Sequence, residues 1–301
     1  MSFNGLTIID YHAHFPLGWR GGKQKDLLRK YNRERQEKFR REWNFPEPEL
    51  TKYTKEELAD MWAEELEKHG LEKVVFMTGG GNDSLASIVE RHPDKFYGFA
   101  HHDIAQPDAA SELERGISEL GFKGYKILAP RISVSFDDPS LVPVWEYCAE
   151  NEIPLMIHFG LLGTGGGIAN HPMISPLSIY NVAHSFPEIP IIVPHFGCGY
   201  FKELLHLCWS CPNVYIDTSG SNQWMKWMPY ELTLEGLFRK SYETVGPDRI
   251  IFGTDSSWFP RGFSIRYLQD QYRACSWIGL KKDEMQKIFG GNAAKFLGIE
   301  L

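Results

Sequence analysis

Four histidines and one aspartate stand at or near the ends of apolar runs, and their side chains are those that bind divalent metals. The runs LTIIDYHAH, PLMIHFG, IPIIVPHFG and RIIFGTD carry His12 and His14, His158, His195 and Asp255. Imidazole and carboxylate groups are the usual protein ligands of zinc. Because residues i and i+2 of a strand point to the same side, His12 and His14 can reach one ion together. The pattern predicts a metal site built from strand ends.

Eight apolar runs alternate with helical patterns, and this alternation predicts the fold. The strand candidates are 6–14, 73–79, 96–103, 122–128, 154–160, 189–197, 213–219 and 249–255. Their hydrophobicity is nearly continuous, as expected of strands that are covered on both faces. The alternation predicts an α/β protein with a closed TIM (β/α)8 barrel, forming a single domain over 1–301. An open doubly wound sheet is disfavoured because HAHF, rather than a glycine-rich turn, ends the first strand.

Two segments interrupt the alternation and are predicted to cover the active-site end of the barrel. Residues 20–53 are an insertion after the first strand, and 20–42 carry ten basic and four acidic residues, a net charge of +6. The glycine-rich stretch 161–176 follows the fifth strand. Both are lid candidates, although a solvated helix face is the alternative for 20–42. The last residues, 281–301, are predicted to form a C-terminal helix.

The composition argues against several classes of protein. With 32 basic and 39 acidic residues the net charge is −7, which disfavours nucleic-acid binding. No apolar stretch approaches the roughly 20 residues that a membrane helix needs, and no signal peptide is visible. The five scattered cysteines are interpreted as reduced thiols of a cytoplasmic protein. The single CxxC, Cys208 to Cys211, is interpreted as packing rather than as a zinc or redox motif.

Seven motifs together resemble the amidohydrolase superfamily, in the branch called amidohydrolase family 2. The motifs are IIDYHAHF, GFKGYKIL, IPLMIHFG, PIIVPHFG, NVYIDTSG, IIFGTDSSWFPRG and FGGNAAKFLG, which span Ile8 to Gly298. This branch contains metal-dependent hydrolases and decarboxylases similar to aminocarboxymuconate-semialdehyde decarboxylase. The resemblance implies an enzyme with one divalent metal ion, for which zinc is preferred and manganese is the alternative.

The resemblance also implies roles for individual residues. The metal would be held by His12, His14, His158 and Asp255. His195 would act beside the metal as an acid or base, and Asp255 would also take part in proton transfer. In other branches a lysine at the position of Lys126 bridges two metals. Because this branch is usually mononuclear, Lys126 is interpreted as a substrate or structural contact.

Three further residues are predicted to contact the substrate, each with a structural alternative. Arg261 would clamp a carboxylate, or else be a solvated loop arginine. Trp258 would wall a ring-containing substrate, or else cap the barrel mouth or fill an oligomer interface. His102 would reach the substrate if it points inward, since strand alternation sends only one of His101 and His102 to that face. Asp217 is favoured as a support for the site.

The preferred function is hydrolysis of an amide, ester or lactone by hydroxide formed on the metal. The alternatives are non-oxidative decarboxylation of an aromatic or unsaturated carboxylic acid, and a barrel that binds metal or ligand without turnover. Hydrolysis is preferred because several decarboxylases of the branch have Glu-x-His on the first strand, and many have proline where Phe159 follows His158. The expected partner is a small-molecule substrate, anionic if the basic segment reaches it. The branch implies a homodimer or larger homo-oligomer.

Overall fold

The computed structural model describes residues 3–17, 25–162 and 171–301. Its eight strands are β1 Ile8–Ala13, β2 Leu71–Phe76, β3 Phe96–Gly98, β4 Tyr125–Leu128, β5 Leu155–His158, β6 Ile191–Val193, β7 Val214–Asp217 and β8 Ile250–Ile251. All neighbouring strands are parallel, in the runs β1 to β3 and β4 to β8. Single parallel bridges, Ala13 to Ser256 and Ala100 to Tyr125, close the ring. The predicted (β/α)8 barrel is confirmed.

Most strands are shorter than predicted at their carboxyl ends. β6 stops at Val193 and β8 at Ile251, before the polar residues His195 and Asp255. Both of these residues have positive φ angles, 58° and 57°, in the left-handed region that interrupts a strand. At the ends of β6 and β8 the chain therefore leaves the sheet shortly before the predicted functional residues.

The described helices are α1 Asp26–Trp43, α2 Lys55–His69, α3 Asn82–Arg91, α4 Ala109–Ser118, α5 Val142–Glu150, α6 Tyr180–Ser185, α7 Phe201–Ser210, α8 Leu234–Val245, α9 Ile265–Trp277, α10 Lys282–Gln286 and α11 Asn292–Leu297. The helix α2 begins at a capping box, in which Thr54 Oγ1 accepts from Glu57 N at 3.2 Å and the Glu57 carboxylate accepts from Thr54 N at 2.7 Å. The predicted C-terminal helix consists of α10, a π-helical turn over Lys287–Gly291, and α11.

Apolar side chains form two clusters that give the site a rigid base. The larger cluster joins the strands to the surrounding helices. The smaller one contains Tyr11, Phe99, Met156 and Ile251 from the strands and strand ends, together with Leu297 of α11. In this cluster the four strand-derived residues are fully shielded from solvent. Polar groups at the strand ends can therefore be held in fixed positions by the packing beneath them.

The inserted helix α1 is attached at one end and exposed at the other. Leu27, Leu28 and Tyr31 at its start are exposed. At its end the ring of Trp43 lies 5.0 Å from Tyr267 of α9. Residues 20–24 of the insertion, and 163–170 of the glycine-rich stretch, lie outside the described residues. A lid function for these segments stays a prediction.

The cysteines and the helices bear on two predictions: that the CxxC motif packs in the interior, and that no segment crosses a membrane. All five cysteines are free, and both members of the CxxC are buried. Burial raises the pKa of Cys208 to about 12, which makes this thiol a poor metal ligand or nucleophile. None of the described helices combines the length and the apolar character that crossing a membrane requires.

Candidate active site

His12, His14 and Asp255 meet at the carboxyl end of the barrel. The two imidazole Nε2 atoms lie 3.3 Å apart. Asp255 Oδ1 lies 3.2 Å from Nε2 of His14 and 4.0 Å from Nε2 of His12. One ligand atom from each residue lies within 4.8 Å of the others, so the three side chains can hold one metal ion. The Asp255 side chain is 41% exposed, which leaves one side of the group open to a substrate.

Close packing between β1 and β8 brings these residues together. A Cβ atom at Gly253 would lie 2.7 Å from Cβ of His12, so only glycine fits at this crossing. The backbone N–H of Asp255 donates to the His12 carbonyl at 2.7 Å. Buried Asp10 accepts a 2.9 Å hydrogen bond from the N–H of Thr254 and a short one from its hydroxyl. The backbone of Asp255 is therefore fixed relative to β1.

Neighbouring polar groups determine which imidazole nitrogens of His12 and His14 are available to bind a metal ion. His12 Nδ1 donates to Asp217 Oδ2 at 2.5 Å, which leaves the Nε2 lone pair for a ligand. His14 Nδ1 is hydrogen-bonded to the Thr78 hydroxyl at 2.8 Å. Burial, helped by the charge of Lys126, lowers the pKa of His12 well below its ordinary value. His12 is therefore neutral, as metal binding requires.

Replacing Asp217 with Asn should weaken Zn²⁺ binding by about 10–100-fold, because the amide accepts a weaker hydrogen bond from His12 and orients its ring less firmly. The dissociation constant is measured by competition with a coloured chelator. The matched control is Asp248→Asn, which removes an exposed carboxylate that lies 2.7 Å from Lys287. Equal Zn²⁺ affinity in wild type and Asp217→Asn would rule out the supporting role.

His195 and His158 lie beside His12 and His14, and these four residues are called the histidine group. The His195 ring lies 5.1 Å from the rings of both His12 and His158. Its Nδ1 is 3.2 Å from the Ser219 carbonyl and 2.9 Å from the Ser219 hydroxyl. Because a carbonyl only accepts, His195 carries its proton on Nδ1, and Nε2 is the nitrogen that can accept another. Burial lowers the pKa of His195, although Asp255 and Asp217 oppose this effect.

His158 differs in position from the other predicted metal ligands. Its Nε2 donates to the Leu161 carbonyl at 3.1 Å, and it lies outside the three-residue group of His12, His14 and Asp255. Burial, with the nearby positive charges, lowers the pKa of His158 well below its ordinary value, so this ring is also neutral. Its assignment as a ligand stays a prediction.

Charged groups around the histidines set the electrostatics of the site. Desolvation would raise the pKa of Asp255, but its contact with His14 and the influence of the neighbouring histidines hold it below the usual range. Lys126 on β4 is 3% exposed, and burial lowers its pKa to about 8 while Asp217 and Asp255 oppose the shift. Asp255 is therefore ionised, and Lys126 is a cation close to the same carboxylates.

The predicted substrate contacts separate into two groups. The Arg261 guanidinium lies 4.7 Å from the Trp258 ring, and its Nη2 donates to the Asp255 carbonyl at 3.2 Å. These two residues therefore adjoin the site. His102 instead donates from Nε2 to the Ala109 carbonyl at 2.9 Å and stacks on Tyr125 at 4.7 Å. Its described contacts belong to the wall of the barrel, and substrate binding by His102 stays a prediction.

Three residues that hold the site were not identified from the sequence: Asp10, Thr78 and Ser219. Ser219 lies within hydrogen-bond distance of Nδ1 of both His12 and His195, at 3.1 and 2.9 Å. In the sequence such residues could be recognised as polar side chains in or next to a fully buried strand, because a buried polar group needs a hydrogen-bond partner. That signal identifies a buried hydrogen bond without naming its partner.

Residues 9–299 match the amidohydrolase family over nearly the whole chain. The chain belongs to this family. The chain is 25% identical to the gamma-resorcylate decarboxylase of Rhizobium radiobacter in an alignment that covers 62% of this chain and 70% of that relative. It is 31% identical to the gamma-resorcylate decarboxylase of Rhodococcus jostii in an alignment that covers 61% of this chain and 67% of that relative.

Solved structures agree with the barrel of this amidohydrolase. A TIM-barrel protein of Bordetella bronchiseptica has a TM-score of 0.66 and 23% identity, covering 97% of this chain and 99% of that chain. A 5-carboxyvanillate decarboxylase of Novosphingobium aromaticivorans, complexed with manganese, has a TM-score of 0.63 and 17% identity, covering 98% and 97%. At these identities the likeness shows the fold. The family match identifies an enzyme of the amidohydrolase superfamily, whose members include hydrolases and carboxy-lyases.

Proposed function

We propose that this amidohydrolase is a metal-dependent, non-oxidative decarboxylase of a hydroxylated aromatic carboxylic acid. The observation that carries the proposal is the similarity to two gamma-resorcylate decarboxylases, which extends over about three fifths of the chain. These relatives favour decarboxylation over the hydrolysis predicted from the sequence. The preference rested on His-x-His and on Phe159, and neither feature excludes loss of CO2.

The side chains of His12, His14 and Asp255 fit a divalent metal. Two imidazoles and one carboxylate are a donor set of the kind that zinc and manganese accept. Asp217 and Thr78 hold the Nδ1 atoms of the two histidines, so both Nε2 atoms can be offered to an ion. A bound ion would supply positive charge that draws the oxygens of the substrate to this end of the barrel.

His195 is proposed to move the proton that the reaction requires. Decarboxylation of a phenolic acid adds a proton to the ring carbon that carries the carboxylate; the carbon–carbon bond then breaks, its electron pair stays with the ring, and CO2 leaves. Because burial lowers the pKa of His195, the ring is neutral and can accept the phenolic proton at Nε2. The imidazolium formed is a strong acid and gives this proton to the ring carbon. The phenolate product regains a proton from water.

Two anionic groups would support the proton transfer. Asp255 is ionised and lies close enough to His195 to stabilise the transient imidazolium by charge. Asp217, at the end of β7, also favours the charged form of the His195 ring. Lys126 is proposed to contact the substrate beside these carboxylates, where its positive charge attracts an anionic ligand.

Incubation of the zinc- or manganese-loaded protein with 2,6-dihydroxybenzoate, salicylate and 4-hydroxyisophthalate should release the corresponding decarboxylated phenol from at least one of them. Products are separated by liquid chromatography. Prior removal of the metal by a chelator should stop the reaction, and its return should restore it. Phenyl acetate and dihydrocoumarin are the matched hydrolysis substrates. Cleavage of these compounds with no loss of a ring carboxylate would support hydrolysis instead.

A further inference from the structure

Arg261 carries a guanidinium beside the proposed active site that forms no ion pair with a described carboxylate, although the nearby charge of Asp255 acts on it. Its ring contacts are Trp258 at 4.7 Å and Phe45 at 5.3 Å. Its Nη2 donates to the Asp255 carbonyl at 3.2 Å and lies 3.4 Å from the Ser257 hydroxyl. The Nε atom is buried and has no hydrogen-bond partner. Within 3–17, 25–162 and 171–301, no carboxylate forms an ion pair with this residue.

The contrast with Arg266 shows that this arrangement is not a general property of stacked arginines. Arg266 also lies over a tryptophan, 4.3 Å from the Trp43 ring, but it lies 3.7 Å from the carboxylate of Asp270. A desolvated cation without an ion-pair partner costs free energy, and a ligand that supplies the opposite charge would lower this cost. Arg261 is therefore poised for an anion from outside the chain.

The position of Arg261 is set by two aromatic rings and by the backbone of the proposed active site. The guanidinium lies over the rings of Phe45 and Trp258, whose planes are nearly perpendicular, at 85°. The hydrogen bond to the carbonyl of Asp255 places the cation beside one of the proposed metal ligands. A substrate held at the proposed metal site would therefore have Arg261 as a neighbour.

We propose that Arg261 binds a second carboxylate of the substrate, one that stays on the product. This inference rests on the proposed decarboxylation. The departing carboxylate becomes neutral CO2, so an ion pair with that group would stabilise the reactant more than the transition state and slow the reaction. An ion pair with a retained carboxylate carries no such penalty. The substrate class is then a hydroxylated aromatic acid with two carboxylates.

The experiment measures the binding of three ligands to the metal-loaded protein by titration calorimetry. The ligand 4-hydroxyisophthalate has both carboxylates, 4-hydroxybenzoate has only the retained one, and salicylate has only the one beside the hydroxyl group. Replacing Arg261 with Met should weaken binding of the first two by about 10–100-fold, as expected for loss of a charged hydrogen-bonded pair. Binding of salicylate should change by less than about threefold.

Arg261→Lys serves as the second variant, because it keeps the charge and removes the planar fork. It should lose part of the affinity for the two ligands with the retained carboxylate. Metal content and thermal unfolding are measured for each variant to confirm that it is folded. An equal loss for all three ligands, or a loss for salicylate alone, would overturn the proposal. Each titration is carried out in protein that also carries His195→Asn, so that turnover contributes little to the measured heat. If no ligand loses CO2 but the pattern holds, the proposed function fails while the carboxylate site stands.

Discussion

Replacing His195 with Asn should lower the rate of decarboxylation by about 10²–10⁴-fold, the range that a positioned acid–base group contributes. The asparagine amide can still donate to the Ser219 carbonyl that holds Nδ1 of the native ring, so the local structure should survive. It cannot accept and return a proton at the position of Nε2. The turnover number is measured with the best substrate from the phenolic acid panel.

Two comparisons make the His195 result specific. His206→Asn changes an exposed histidine of α7 and should leave the turnover number unchanged. Metal content should stay constant in His195→Asn, because this ring is proposed to act beside the metal rather than to bind it. A turnover number within about threefold of wild type would refute the acid–base role. Loss of bound metal would instead make His195 a ligand.

Replacing Asp255 with Asn should abolish measurable turnover. The amide keeps an oxygen that can face a metal, but it carries no negative charge, so it stabilises neither the ion nor the transient imidazolium. The native pKa of Asp255 is held below its usual range, so the wild-type group is charged throughout the pH range of the assay. The change in charge is therefore complete at every pH tested.

For Asp255 the decisive readout is turnover rather than metal content, since the variant can retain some affinity for the ion. Asp83→Asn, which removes a carboxylate 2.8 Å from Arg115 on the outer helices, is the matched control and should be fully active. Turnover by Asp255→Asn at a rate comparable with that control would exclude the assigned role.

The proximity of the predicted site residues could be expected from the sequence because their spacing follows from strand geometry. His12 and His14 are two residues apart at the end of a buried strand, and the structure brings their Nε2 atoms within 3.3 Å. Asp255 and His195 follow apolar runs that do form strands. Parallel strands of a barrel bring their carboxyl ends together, so the meeting of these residues follows once the eight runs are recognised.

Other features depended on backbone details that no sequence pattern reports. The strand β8 ends four residues before Asp255, and a left-handed residue conformation directs this side chain. His158 ends β5 as expected, but its Nε2 bonds to the Leu161 carbonyl, a loop atom with no sequence signature. The contacts of His102 and Ser219 also depend on hydrogen-bond partners in an adjoining loop or far away in the sequence. The positions of residues at strand ends could therefore be predicted from the periodicity of the sequence. Their hydrogen-bond partners could not be predicted in this way.

The central proposal is loss of CO2 with transfer of a proton to the ring, and one labelling measurement tests it. The metal-loaded protein is incubated in D2O with the best phenolic acid of the panel, labelled with ¹³C in its ring carboxylate, and followed by NMR. The expected result is labelled CO2 or bicarbonate together with a product that carries one deuterium at the carbon that lost the carboxylate. Retention of the label in the ring acid while ester or lactone substrates are cleaved would contradict it.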